Sequence, residues 1–189
     1  ANKGEGKDFF FSLEKEFNTS HIIRARSHKL LQKYKTKLGT KFLWCTFSRD
    51  QIDLDFRNPK VLIKFVKLII FLKNKGIFIF RFDAVAFIWK RIESSCVNLD
   101  QAHAIVRLFR TILNYSKNSG IIVTETNLPF LENLSYFGNS DEAHIIYNFT
   151  LPPLILYALT HDDAEPLTRW ASTLKPPSEK CTFLNITST

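Results

Sequence analysis

The sequence contains no methionine, only three cysteines and only six glycines among its 189 residues. Its cysteines, Cys45, Cys96 and Cys181, form no CxxC motif, and its histidines form no pair at metal-ligand spacing. These absences argue against both a zinc site and a disulfide framework. We therefore expect three buried free thiols in a reducing cytoplasm, with no metal and no organic cofactor.

Long uninterrupted apolar runs are also missing. The most apolar stretch, residues 61–72, is short for a membrane span and is broken by Lys64 and Lys67. No charged start, apolar segment and small-residue cleavage site form a signal peptide. We expect no membrane contact. The chain starts with alanine, and residues 182–189 resemble an apolar strand that is cut short, so we expect a fragment of a longer protein.

Acidic residues are absent from residues 21–49, an interval whose basic residues match the whole net charge of +8. These basic residues are Arg24, Arg26, Lys29, Lys33, Lys35, Lys37, Lys41 and Arg49. Such an excess suits nucleic acid or an anionic substrate. We expect a solvated basic face that binds no nucleic acid, and a non-enzymatic basic binding module is the alternative.

Strand and helix patterns alternate from residue 57 onward. Apolar stretches rich in β-branched and aromatic residues predict strands at 77–83, 121–125, 143–149 and 181–186. Helices are predicted from Asn58-Pro59 to near Asn74, from 98–100 to Gly120, and within 152–170. This alternation predicts an α/β fold with a parallel sheet, either doubly wound or an arc of a (β/α)8 barrel. No GxGxxG follows a strand, which argues against a dinucleotide-binding fold.

Residues 1–56 differ in character from the rest of the chain. They are polar and basic, and their apolar clusters, at 8–11 and 42–45, are short. We expect an irregular, inserted or peripheral small domain at 1–56, followed by the α/β part at 57–189.

Two carboxylates end neighbouring predicted strands. The strand at 77–83 is nearly continuously apolar, as in a central strand buried on both faces, and it ends with Arg81 and Asp83 on one side of the pleat. Glu125 ends the next strand, so both carboxylates project from one sheet edge. Such a pair suits catalysis at a glycosidic bond, with Arg81 keeping Asp83 ionised and an apolar surround raising the pKa of Glu125. An ordinary salt-bridging or helix-capping pair is the alternative.

Three stretches resemble motifs of the α-amylase superfamily, glycoside hydrolase family 13. Residues 80–90 (FRFDAVAFIWK) are similar to the nucleophile motif on the family's fourth barrel strand, and residues 123–127 (VTETN) to its acid/base motif on the fifth. Residues 51–55 (QIDLD) resemble the motif that ends the small domain inserted after the third strand. Residues 44–48 and 133–138 resemble the sucrose phosphorylase branch. The resemblance implies a partial (β/α)8 TIM barrel, about strands four to seven, with part of the inserted domain.

Carried over residue by residue, the resemblance implies that Asp83 is the nucleophile, Glu125 the acid/base, and Arg81 the residue that orients Asp83. Phe87 occupies the position of an aromatic beside the acceptor subsite, although plain core packing is the alternative. Asn127, in the acid/base motif, is a further candidate for substrate binding. The apolar Ala86 and Phe87 disfavour long α-glucans, because neither can hydrogen-bond another sugar hydroxyl.

The implied activity is that of a retaining α-glucosyl phosphorylase or glycoside hydrolase acting on sucrose, glucosylglycerate or sucrose phosphate, with inorganic phosphate as co-substrate. An α-glucosidase-type hydrolase is the alternative within the family. The family's first motif would precede Ala1 and its last would follow Thr189, so we expect the chain alone to be inactive. No oligomeric state is implied. The histidines match no family position; they are His21, His28, His103, His144 and His161.

Overall fold

In the computed structural model, residues 6, 8–37, 39–115 and 119–187 are described. They belong to two compact units. The first spans Ala1–Phe71 and Ala86–Ala102, and the second spans Leu72–Val85 and His103–Thr189. The predicted domain boundary after residue 56 stays a prediction.

The first unit contains an antiparallel sheet where the sequence predicts irregular structure. Its strands are β1 (Ser12–Leu13), β2 (Leu31–Thr36) and β3 (Gly39–Trp44), in the order β1-β3-β2. Strands β2 and β3 form a hairpin whose register runs from Leu31 opposite Trp44 to Thr36 opposite Gly39. Most of β2 is exposed, and its lysines and threonine leave little apolar alternation from which to predict a strand.

The core of the first unit consists of buried apolar side chains around Trp44. They are Phe11, Ile22, Leu30, Leu31, Trp44 and Cys96. The Phe11 and Trp44 rings meet edge to face, 5.1 Å apart, a geometry that adds to the energy of burial.

Asp53, from the 51–55 motif, is fixed within this unit. Its Oδ1 accepts from the Thr46 amide at 2.9 Å, and its Oδ2 accepts from the Thr46 hydroxyl at 2.6 Å. Lys90 is buried and pairs with Oδ2 at 2.7 Å. A buried ammonium group needs such a partner, so the 51–55 motif is anchored by charge as well as by hydrogen bonds.

The second unit contains a parallel sheet of four strands. They are β4 (Ile79–Phe82), β5 (Ile121–Thr124), β6 (Ile145–Asn148) and β7 (Thr182–Asn185), and they lie side by side in sequence order. All three pairings are parallel, which confirms the predicted α/β fold. This order lacks the reversal of a doubly wound sheet and is that of an arc of a (β/α)8 barrel.

Five helices accompany the strands in the described residues. They are α1 (Pro59–Asn74), α2 (Asp100–Asn114), α3 (Phe130–Leu134), α4 (Leu151–His161) and α5 (Glu165–Thr173). Helix α1 begins and ends close to the predicted positions, and Gly76 follows it with a φ of 91°. Helix α2 ends at Asn114, earlier than the predicted end at Gly120. The helical region predicted at 152–170 is divided in two after Asp162, which has a left-handed φ of 52°.

Strand β4 differs from the predicted central strand. Phe80 is buried, but Ile77 is 44% exposed and Ile79 is 61% exposed. Within the described part of the chain, β4 pairs with β5 alone and is therefore an edge strand. The exposed Ile77 and Ile79 lie on one face of the strand and the buried Phe80 on the other, so the prediction of a central strand buried on both faces is wrong for this chain.

The predicted thiol state is confirmed, because Cys45, Cys96 and Cys181 are all buried and free. Among the described residues, no helix combines the length and the apolar character that crossing a bilayer requires.

Candidate active site

The site is built where β4 and β5 end. Arg81 lies opposite Val123 in the parallel register, and the Glu125 amide donates to the Phe82 carbonyl at 3.0 Å. The chain then turns sharply at Ala84, which has a left-handed φ of 48°. These contacts bring Asp83 and Glu125 to the same edge of the sheet, as predicted.

Arg81 links the two carboxylates. Its Nη2 lies 3.5 Å from Asp83 Oδ1 and 3.1 Å from Glu125 Oε2. The sequence predicts an ion pair between Arg81 and Asp83, and the structure adds a shorter ion pair between Arg81 and Glu125. Asp83 is 72% exposed and Glu125 is 26% exposed, so the aspartate is open to an incoming ligand and the glutamate is partly enclosed.

Glu125 has a raised pKa. A hydrogen bond with Asp83 raises the pKa of Glu125 most, and partial burial and the negative charge of Asp83 raise it further. The Ala84 amide and the positive charge of Arg81 lower the pKa, but they do not reverse the shift. The expected direction is correct, although a neighbouring carboxylate contributes more than the expected apolar surround. Two carboxyl groups with separated pKa values can act as a proton donor and an anion at one pH.

Tyr147 is a site residue that the sequence does not reveal. Its hydroxyl accepts a hydrogen bond from Arg81 Nε at 3.0 Å, and the Arg81 guanidinium carbon lies 5.4 Å from its ring centroid. The ring stacks on Phe149 at 5.4 Å. Tyr147 lies on β6, 66 residues after Arg81, and this long-range contact has no signature in the sequence.

Asn133 connects this tyrosine to the loop that follows Glu125. The Thr126 hydroxyl donates to Asn133 Oδ1 at 2.5 Å, and Asn133 Nδ2 donates to the Tyr147 carbonyl at 2.8 Å. Both Thr126 and Asn133 are buried. The only sequence signal for Asn133 is its place in the stretch 133–138 that resembles the sucrose phosphorylase branch.

The other two predicted site residues have different surroundings. Phe87 belongs to the first unit, where its ring meets Phe47 edge to face at 5.6 Å and its carbonyl accepts from Lys90 Nζ. Asn127 is exposed in the loop after β5. The substrate-binding roles of Phe87 and Asn127 stay predictions.

The basic interval 21–49 is partly neutralised. Lys29 pairs with Glu16 at 2.5 Å, and Lys41 pairs with Glu14. In the described ranges, no three His, Cys, Asp or Glu side chains are grouped as metal ligands would be.

Comparison with protein families identifies the fold family. The sequence profile described as "Alpha amylase, catalytic domain" matches residues 2–179. The chain is 42% identical over 178 residues to a glucosylglycerate phosphorylase from Allomeiothermus silvanus, covering 94% of this chain and 32% of that protein. It is 39% identical over 181 residues to one from Spirochaeta thermophila, covering 96% and 31%. The chain thus spans about a third of the length of these curated relatives.

A less similar curated relative and a solved structure are consistent with this family match. A sucrose phosphorylase from Agrobacterium vitis is 25% identical over 183 residues, covering 90% of this chain and 36% of that protein. The crystal structure of sucrose 6F-phosphate phosphorylase from Thermoanaerobacter thermosaccharolyticum has a similar fold, with a TM-score of 0.81 at 21% identity over all of this chain and 39% of that one. The sequential parallel sheet and the match over residues 2–179 show that the chain belongs to the α-amylase catalytic-domain family, glycoside hydrolase family 13.

Proposed function

We propose that the whole protein carrying this chain is a retaining α-glucosyl phosphorylase that acts on a small glucoside, with glucosylglycerate as its first candidate donor. The observation that carries the proposal is the carboxylate pair Asp83 and Glu125, joined by Arg81 Nη2. The choice of donor is supported by the glucosylglycerate phosphorylases at 39% and 42% identity, compared with 25% for the sucrose phosphorylase.

In the first half of the proposed reaction, a carboxylate oxygen of Asp83 attacks the anomeric carbon of the donor. The bond to the leaving oxygen breaks, and the proton of Glu125 goes to that oxygen. The raised pKa of Glu125 suits this role, because it keeps the carboxyl group protonated at a higher pH. The product is a β-glucosyl ester of Asp83 and a free acceptor such as glycerate.

In the second half, an oxygen of inorganic phosphate attacks the same anomeric carbon from the opposite face. Glu125, now a carboxylate, takes the phosphate proton, and the bond to Asp83 breaks. Two inversions at one carbon give net retention, so the product is α-glucose 1-phosphate.

The spacing of the carboxylates favours retention over inversion. Two oxygens that contact one nitrogen at 3.5 and 3.1 Å are separated by at most the sum of these distances, which reaches only the lower edge of the range that inverting enzymes use. Inverting enzymes space their carboxyl groups by about 6.5 to 9.5 Å to admit a water molecule, whereas retaining enzymes bring them within about 5 to 5.5 Å. The dominant effect of Asp83 on the pKa of Glu125 agrees with the shorter class.

The choice of phosphate over water depends on the acceptor subsite. The half-exposed Arg81 guanidinium lies beside Glu125 and is a cation able to attract a phosphate oxygen. Phe87 is proposed to narrow the acceptor subsite and to disfavour water there.

The test supplies the whole protein with glucosylglycerate, sucrose or sucrose phosphate, each with and without inorganic phosphate. We expect α-glucose 1-phosphate to form from glucosylglycerate only when phosphate is present. Free glucose released at the same rate in both conditions would instead identify an α-glucosidase-type hydrolase. If the protein turns over sucrose with phosphate but not glucosylglycerate, the proposed phosphorylase activity stands and the donor is sucrose.

The 189-residue chain alone is proposed to be inactive, because the family's first and last barrel motifs fall outside it. The exposed side chains of Ile77, which precedes β4, and of Ile79, the first residue of β4, would also favour aggregation of the isolated chain. Three free buried thiols fit a reducing compartment, and we infer a cytoplasmic location.

A further inference from the structure

Five residues of the second unit form a closed chain of contacts around the carboxylate pair. Glu125 Oε2 contacts Arg81, whose Nε donates to the Tyr147 hydroxyl. The Tyr147 carbonyl accepts from Asn133, and Asn133 accepts from Thr126, the residue after Glu125. The ends of β4, β5 and β6 are therefore tied together through side chains, and Arg81 is the member that contacts both carboxylates.

The orientation of Arg81 depends on which of its nitrogens are engaged. A guanidinium is planar and its donors have fixed directions, so holding Nε fixes where the terminal nitrogens point. Tyr147 engages Nε at 3.0 Å, while Nη2 faces Asp83 and Glu125. Without that anchor, a half-exposed arginine side chain has many alternative rotamers in water.

Tyr147 is itself held firmly. Its ring stacks on Phe149 with an interplanar angle of 18°, and its carbonyl is fixed by the buried amide of Asn133. The tyrosine therefore offers a rigid acceptor and does not simply follow the arginine.

We propose that Tyr147 is a positioning residue, whose hydroxyl fixes the Arg81 guanidinium so that a single nitrogen bridges Asp83 and Glu125. The consequence for the proposed phosphorylase reaction, on which this inference rests, is that Tyr147 sets the separation of the two carboxyl groups and the protonation of Glu125. It acts through Arg81 and makes no bond to the reacting carbon.

The decisive variant is Tyr147→Phe in the whole protein. It keeps the ring, its stacking on Phe149 and its contact with the Arg81 cation, and removes only the hydroxyl. The matched control is Tyr136→Phe, because Tyr136 is fully buried in the same unit and its hydroxyl has no hydrogen-bond partner within the part of the chain that the structure describes.

The first readout needs no turnover and follows the Glu125 carboxyl group itself. In protein labelled with ¹³C at glutamate carboxyl groups, the signal lost in Glu125→Gln identifies Glu125 and reports its titration. The groups that bear on this titration are Arg81 from β4, Asp83 and the Ala84 amide directly after β4, and, through Arg81, Tyr147 from β6. We expect a higher Glu125 pKa in Tyr147→Phe, because a loosened Arg81 lowers that pKa less, and an unchanged value in Tyr136→Phe.

The second readout is kinetic. We expect kcat to fall by about tenfold in Tyr147→Phe with KM nearly unchanged, and the basic limb of the pH profile to move to higher pH. In an Arg81→Lys background the same change should have little further effect, because the group through which it acts is gone. A Glu125 titration that is unchanged or shifted downward in Tyr147→Phe would overturn the inference. A whole protein without phosphate-dependent turnover, but with the expected titration shift, would instead overturn the proposed function and leave the positioning role standing.

Discussion

The backbone amide of Ala84 donates to Glu125 Oε2 at 3.2 Å, so the residue directly after Asp83 holds the carboxylate opposite it. Ala84 achieves this with a φ of 48°, a conformation that costs a non-glycine residue about 1 to 2 kcal/mol. The Ala84 amide belongs to the peptide bond that Asp83 forms, so this hydrogen bond ties the Asp83 backbone to the Glu125 carboxyl group. The backbone therefore helps Arg81 to set the spacing of the two carboxyl groups.

Replacing Asp83 by asparagine should abolish phosphorolysis by the whole protein. The amide has nearly the same volume but is a poor nucleophile, and we expect a loss of at least about a thousandfold in kcat with the fold unchanged. Asp162→Asn is the matched control, since Asp162 is exposed and its left-handed φ of 52° suits asparagine. Turnover of Asp83→Asn at the control rate would remove Asp83 from the mechanism.

Replacing Glu125 by glutamine should stabilise the protein at neutral pH. The folded-state pKa of Glu125 is raised, so its contribution to stability is fully present below its unfolded pKa and is lost as pH rises through the folded pKa. A neutral glutamine avoids that loss, and we expect a higher Tm than wild type at pH 7 and nearly equal values at pH 4. Equal Tm differences at both pH values would contradict this account.

The same Glu125→Gln variant should lose activity on glucosylglycerate but form the glucosyl ester from glucosyl fluoride, whose leaving group needs no proton.

Lowering the pH should destabilise the second unit through His144. Its Nδ1 accepts from the Ile122 amide at 3.0 Å, and burial, with a smaller contribution from Arg110, lowers the pKa of His144 to about 4. With an unfolded value of 6.5, the stability that His144 contributes is present above pH 6.5 and is lost as pH falls toward 4. His144→Asn, which keeps an acceptor but does not titrate, should flatten the decline in Tm between pH 7 and 5.

The exposed His161 provides the control for this experiment, because His161→Asn also removes one imidazole ring. We expect this variant to follow the wild-type decline. If both variants flatten the curve equally, the effect belongs to net charge and not to the contact of His144 with Ile122 in β5.

Replacing Gly138 by alanine should destabilise the protein by about 2 kcal/mol or more. The glycine has a φ of 56° with a ψ of −137°, and a Cβ atom there would clash with Asp141 Oδ1 and lie 2.9 Å from Glu142 Cγ. Glu142 cannot move easily, because it is buried and paired with His103 and Arg107.

Gly76→Ala separates the effect of this clash from that of backbone strain. Gly76 also has a positive φ, 91°, but a Cβ there would meet no atom of the described residues within 4 Å. We expect a cost of about 1 kcal/mol, from conformation alone. Urea denaturation of both variants gives the comparison, and equal midpoints would show that the contacts of Gly138 do not matter.

The strands and the pairing of the two carboxylates at one sheet edge are predictable because their signals are local. The run ending at Asp83 and the run ending at Glu125 each predict a strand, and the alternation with helices predicts parallel pairing, which places both carboxylates at one edge. The ion pair between Arg81 and Glu125 depends on side-chain positions across two strands, and the sequence therefore does not predict it.

Features that depend on contacts between residues distant in the sequence are not predicted, or are predicted wrongly, from the sequence alone. Tyr147 lies on the third strand of the sheet, and only folding brings its hydroxyl to Arg81. The sequence does not predict the hairpin of β2 and β3, because strands rich in polar residues lack the apolar alternation that indicates a strand. The apolar run of β4 predicts a strand buried on both faces, because a sequence pattern indicates which side chains can be buried and does not show which neighbouring elements this chain supplies.

The bridging position of Arg81 has an electrostatic consequence for the proposed reaction. Before attack, the group contains one guanidinium, one aspartate anion and a protonated glutamic acid, so its formal charge is zero. After attack, the aspartate is an uncharged ester and the glutamate is the anion, so the formal charge is again zero. Arg81 contacts whichever carboxylate is ionised. A phosphate anion arriving at the intermediate therefore meets no more net negative charge than was present in the resting enzyme.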